Sequence, residues 1–217
     1  MNDFRNDIKR LPRLLLGLVA LATGIFFVRL SFLGLPPWGV FHDGLYLVSG
    51  IGFGYLTQLV GLVVLVLSMV LFRTKIGIGT VMNVAIVGPI IELWEALWPF
   101  ATDTLLEQIP VFLLGMLLMT FGRSLYISSE LGQGPRDGLF VGIARTTRFE
   151  VKHIKPAIEL TVLIIGFILG GRFYVGTVLI VLLSGYLVQW FFNRLGFDPK
   201  QARQHSIRSY FQQKEPS

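Results

Sequence analysis

Leu131-Gly132-Gln133-Gly134-Pro135-Arg136-Asp137-Gly138-Leu139 sits between two long apolar runs. A weaker copy, Leu33-Gly34-Leu35-Pro36-Pro37-Trp38-Gly39-Val40, holds the same place near the N-terminus. Each is a Gly- and Pro-rich bend followed by an apolar segment too short to cross a bilayer, since crossing takes about 20 apolar residues. Short or broken helices in matching positions of two halves are the strongest sequence pointer to a binding site in small membrane carriers.

On either side of the bends the chain divides into runs of spanning length. Residues 1–13 carry Arg5, Lys9, Arg10 and Arg13 and read as a basic tail. Spans are expected at Leu14–Leu33, Gly54–Phe72, Ile78–Trp98, Ile109–Ser129, Ile154–Gly171 and Tyr174–Asn193, with short helices at 38–51 and 135–146. The halves are then residues 14–98 and 109–195, joined by an acidic loop at 99–108 and closed by a basic tail at 196–217. Gly34 and Pro37 match Gly132 and Pro135 at an offset of 98, while Gly79-Thr80-Val81 and Gly88 match Gly176-Thr177-Val178 and Gly185 at 97. A rival register pairs Arg29 and Asp43 with Arg123 and Asp137, but it breaks the Gly-Pro match. The expected fold is therefore all-α: six transmembrane helices in two three-span repeats, each with a short re-entrant or interfacial helix after its bend.

Composition agrees with a membrane-embedded chain. Of 217 residues, 53% are hydrophobic and 15% charged, against about 25% charged in a soluble domain. The net charge of +6 comes from basic residues in the tails and between apolar runs, which argues for cytoplasmic loops and against nucleic acid as a partner. Cysteine is absent, so disulfides and thiol chemistry are excluded. The first apolar run is too long for a signal-peptide core and reads as a retained helix.

Charge counting sets the orientation. If the short segments do not cross, the basic N-tail, Arg73, Lys75, the Arg145–Lys155 loop and the C-tail all fall inside. The acidic loop and Arg172 fall outside. The positive-inside rule then selects six spans, both termini cytoplasmic and the second half inverted relative to the first.

These motifs resemble a known family. Leu33-Gly34 followed by Pro37-Trp38, the Leu131–Leu139 string, and Gly-Thr-Val opening the last span of each half look like the YczE/YyaS/YitT family of bacterial membrane proteins. The likeness runs from about Leu14 to Leu195 and implies a multi-pass protein of the bacterial inner membrane. That family has no settled biochemical activity. It usually carries an acidic residue after the Pro-Trp, where this chain has Gly39, with His42 and Asp43 one turn on.

Two readings of the central motif stand. Gly132, Gly134 and Pro135 let the backbone turn and start a helix whose free N–H groups, with Arg136 beside them, form an anion site. Alternatively Asp137 complements the helix dipole and pairs with Arg136 as a local cap. As a site, Gly132–Gly138 would face the first bend, with Pro37, Trp38 and Asp43 opposite. Arg29 and Arg123 lie near span ends, where snorkelling is the expected behaviour. Glu92 and Glu95 share a helical face at i, i+3, where paired carboxylates could hold a proton or cation, while Trp94 and Trp98 beside them point to headgroup level; with Arg29 and Arg123 they are the secondary site candidates. Glu159 has Lys155 one turn before it and is expected to pair with it. Gly166/Gly170 and Ala20/Gly24 are small-residue pairs that mark helix packing more often than dimerisation, though a homodimer is one further partner.

Enzyme signatures fail. His42, His153 and His205 have no metal-ligand spacing, and neither a nucleophile elbow nor a dinucleotide fingerprint occurs. No catalytic residue, metal or cofactor is expected. The expected function is a small transporter for an unidentified solute or ion, with a non-transporting accessory protein for envelope assembly or export as the rival.

Overall fold

The computed structural model describes residues 2–74, 76–98, 102–132, 134–149 and 151–198. Their regular structure is helical throughout: α1 Asn2–Leu30, α2 Pro37–Ser49, α3 Phe53–Phe72, α4 Ile78–Leu97, α5 Leu105–Ile127, α6 Pro135–Thr146, α7 Val151–Ile168 and α8 Val175–Arg194. Five of these, α1, α3, α4, α5 and α8, are long and apolar enough to cross a membrane. The remaining long helix, α7, opens on Lys152, His153, Lys155 and Glu159, which lower its hydropathy. Large apolar side chains point away from the protein, with Val70, Leu182 and Tyr186 all more than half exposed. In a helix apolar on every side, that face is one that lipid covers.

Two boundaries move. The segment read as a basic tail is helical from Asn2, and its Arg10 pairs with Glu130 at 2.9 Å, so those turns extend α1 instead of standing apart. The fourth span starts at Leu105, inside the expected acidic loop, because Thr104 in an extended conformation supplies the turn into the helix. Both short helices fall where the bends put them, each with Pro in its first turn as the missing N–H allows. The expected basic C-terminal tail lies outside the described residues beyond Asp198.

α1 and α5 form the antiparallel spine. A Cβ on Gly17 would stand 2.5 Å from Tyr126 N, on Gly24 2.2 Å from Met119 N, on Gly115 2.6 Å from Val28 N, and on Gly122 2.3 Å from Leu21 N. Small residues at these four points are what let two backbones touch. Gly17 and Gly24 precede Gly115 and Gly122 by the same 98 residues that separate the bends.

The bends match in detail. Phe32 and Glu130 take φ of 56° and 58°, and Gly34 and Gly132 take 126° and 132°, a region that strongly favours glycine. Ser31 and Ser129 donate to the carbonyls of Val28 and Tyr126 at 2.7 and 2.6 Å. Each bend then docks on the far half: Gly176 N–H donates to Leu33 O at 2.7 Å, and Gly79 N–H to Leu131 O at 2.8 Å. Matching geometry thus follows the 98-residue offset and not the register that would pair the arginines and aspartates.

Around the spine, α2 crosses α7 and α3, α6 crosses α3 and α7, α4 flanks α1, and α8 flanks α5. Among the described residues the most extensive contact without a counterpart is the one between α3 and α4. α3 packs along α4, whereas α7 makes no comparable seam with α8.

Candidate functional site

The two bends bring α2 and α6 together at their N-terminal turns. The Arg136 guanidinium lies 4.5 Å over the Trp38 ring, a cation–π contact that gains when water is excluded. Its Nη2 stands 3.4 Å from His42 Nε2. His42 Nδ1 is 3.0 Å from Thr57 Oγ1, and Thr57 gives its own proton to Phe53 O at 2.9 Å. The hydrogen bonds therefore assign the imidazole proton to Nδ1, which donates to Thr57 and leaves the Nε2 lone pair facing a guanidinium that can only donate. Trp38 Nε1 is buried and has no acceptor among the described residues.

These side chains line a cavity of about 240 Å³ that also takes in Pro37, Arg123, Lys155 and Glu159. A smaller compartment of about 100 Å³ adjoins it, sharing Arg123 and Arg136 and lined further by Gly134, Pro135 and Asn83. Arg123, one turn before the end of its Leu105–Ile127 span, borders both compartments, and its neighbour Gly122 packs on Ala20 and Leu21 of α1.

A second cavity of about 440 Å³ lies at the end where α1 stops, lined by Arg29, Asp43, Tyr46, Glu95, Trp98 and Arg172 among others. Here Asp43 takes a two-pronged pair from Arg172, Nε–Oδ2 2.8 Å and Nη2–Oδ1 2.9 Å, and accepts the Arg172 backbone N–H at 3.1 Å. Arg29 stands 3.7 Å from Asp43, pairs with Glu95, and lies 5.0 and 4.8 Å over the Tyr46 and Phe53 rings. It is held by partners from α2 and α4, so snorkelling is not its role. α2 is the partition between the two cavities: His42 lines one and Asp43 the other.

The sequence candidates divide accordingly. Pro37, Trp38, Arg123 and Arg136 line the larger central cavity, Gly134 and Pro135 the smaller compartment, and Arg29, Asp43 and Glu95 the outer one. Gly132 serves the bend, its Cβ position 2.7 Å from Gly77 Cα, and Gly138 approaches Thr74. Asp137 belongs to the first turn of α6, but its side chain lies outside the described residues. Glu92 separates from Glu95: it accepts the Gly54 and Tyr55 N–H groups at 2.6 and 3.2 Å and caps α3. Lys155 and Glu159 make no ion pair with one another; both border the cavity. His42, Thr57 and Arg172 escaped the sequence reading as site residues. Arg172 carried a signal as the lone cation on an otherwise acidic side; Thr57 carried none. Among the described residues no three ligating side chains converge on a metal position.

Apolar helices with charged groups turned inward onto cavities define a multi-pass integral membrane protein. The chain belongs to a family of unknown function, DUF6198, whose model matches residues 8–193. It is 33% identical over 186 residues to an uncharacterized protein of Haemophilus influenzae, covering 85% of this chain and 84% of that one. It is also similar to two Bacillus subtilis proteins. The uncharacterized membrane protein YczE is 31% identical over 80% of this chain and 81% of its own length, and YyaS is 25% identical over 81% and 89%. No solved structure matches.

Proposed function

We propose that this chain is a small transporter of the bacterial inner membrane whose substrate site lies where the two bends meet. The observation that carries this is the Trp38–Arg136 contact: the two residues stand at the same position of the two bends, 98 apart, and share one wall of the central cavity. The architecture in this reading is two inverted three-span repeats with α7 as the sixth span. At 18 residues and about 1.5 Å per residue, α7 runs roughly 27 Å, close to the hydrocarbon thickness. The antiparallel spine and the paired bends support the inversion, and the charge asymmetry supports cytoplasmic termini.

Transport here needs no chemical step. Arg123 and Arg136 hold the solute, Thr57 sets the His42 tautomer, and the Asp43–Arg172 pair keeps the outer cavity apart from the central one. Passage then requires that pair to open or α2 to move.

Arg136→Gln tests the site. It keeps a polar, hydrogen-bonding side chain and removes the charge, so a mere helix cap would lose about 0.3–1 kcal/mol with activity retained. The expected outcome is near-normal thermal stability in detergent and failure to complement a deletion strain. Activity retained in full would remove Arg136 from the site. Stable association with another envelope protein, without solute flux into vesicles, would favour the accessory role.

A further inference from the structure

The two halves differ at one pair of glycines. In the first, α3 and α4 close on each other: a Cβ on Gly88 would stand 2.4 Å from Gly54 O, and one on Gly54 2.3 Å from Gly88 O. Gly185 is the match of Gly88, yet a Cβ there meets nothing within 4 Å, and α7 makes no comparable seam with α8. Behind this slit lies the central cavity, with Lys155 and Glu159 of α7 on one lip and Val181 and Gly185 of α8 on the other. Val181 is 54% exposed on the lipid-facing surface.

We infer that the cavity receives the charged head of an anionic amphiphile that enters sideways from the bilayer between α7 and α8. This rests on the site proposed above and names its substrate class. Three features select it. Arg123, Arg136 and Lys155 stand among the lining residues, and their guanidinium and ammonium groups offer several N–H donors that the oxygens of an anion accept from. The Trp38 indole N–H is buried beside them without an acceptor, which an anionic oxygen supplies. The volume bounds how much of the molecule fits: against the roughly 150 Å³ of a cavity that takes one benzene, this one has about 240 Å³. That holds a headgroup and a few methylenes, so the rest of an acyl chain lies in the slit and the surrounding lipid.

Trp38 itself is the reporter. In a variant with Trp94, Trp98 and Trp190 replaced by Phe, checked for unchanged thermal stability, Trp38 is the sole indole. The protein is placed in nanodiscs of zwitterionic lipid and titrated with stearate carrying a nitroxide near the carboxylate, near the chain end, or near the head of the uncharged methyl ester. The expected result is strong quenching by the first and weak quenching by the other two. Gly185→Phe and, independently, Val181→Phe should abolish it by filling the slit. Arg123→Gln should weaken apparent affinity about tenfold, the order that losing one charge-assisted hydrogen bond carries. Equal quenching by acid and ester would overturn the inference. So would protection of Trp38 by inorganic phosphate with no response to the stearate: a soluble anion would then occupy the site and the transporter reading would stand. No Arg136-dependent response to either probe would overturn the inference and the site together.

Discussion

Trp38 and Arg136 face each other at 4.5 Å although 98 residues separate them, and each follows the helix-starting proline of its own bend. Contact between matched positions marks where the two halves meet. The pair is asymmetric: one half supplies a ring, the other the cation. Trp38→Ala should cost about 0.5–2 kcal/mol of stability through the cation–π contact, beyond the loss of buried ring area. Trp38→Phe keeps a ring but loses the indole N–H. It should retain most of the stability and fail in complementation, as read by thermal unfolding and growth in parallel. Full activity of Trp38→Phe would show that the N–H binds nothing.

Asp43 is nearly inaccessible and serves two arginines. Asp43→Asn leaves Arg172 without its carboxylate, and stranding one member of a buried pair costs about 3–5 kcal/mol. Partial exposure of Arg172, at 17%, puts the expected loss at or below the lower end of that range. Arg172→Gln should cost less, since Asp43 keeps Arg29. A double-mutant cycle in thermal unfolding reads the coupling, and additive single effects would mean that the pair does not hold the fold.

Two glycines of α8 should respond differently. A Cβ on Gly176 would sit 2.5 Å from Leu33 O and 2.6 Å from Phe112 Cε2, while one on Gly185 meets nothing. Gly176→Leu overpacks and should cost about 1–3 kcal/mol; Gly185→Leu should stay within about 0.5 kcal/mol. Comparable losses in detergent would show that α7 and α8 close in solution.

The chain lacks cysteine, so single introduced cysteines report orientation without background. Thr104→Cys should react with an impermeant maleimide from the periplasmic face, and Gln201→Cys should be protected until cells are lysed. Periplasmic labelling of Gln201→Cys would remove the inverted topology.

The bends were legible because Gly and Pro leave few backbone choices: Pro37 and Pro135 start their helices where the chain reads as if they must. Pairing of Arg136 with Trp38 was also within reach, since both belong to the matched motif. Asp43–Arg172 was not, because no local periodicity connects residues 129 apart that only the crossing of α2 over α7 brings together. Arg29 misled for a related reason. Nearness to a span end suggests water, but whether an arginine points to water or to Glu95 depends on which helix lies alongside. α7 stands apart from the five helices that are long and apolar enough to cross a membrane: Lys155 and Glu159, which lower its hydropathy, are the residues with which it borders the cavity.

Interlocked bends have a consequence for biosynthesis. Leu33 O is satisfied by Gly176 N–H, which leaves the ribosome 143 residues later. Until then the first half carries an open carbonyl in a low-dielectric setting, where an unmet backbone group costs several kcal/mol. Insertion of the first spans and closure of the fold are thus separable events, and the first half alone is expected to be open to membrane quality control until the second arrives. A chain ended after α4 should be degraded, and co-expression of residues 102–217 as a second polypeptide should rescue it, because the two halves complete each other's hydrogen bonds at Leu33 and Leu131.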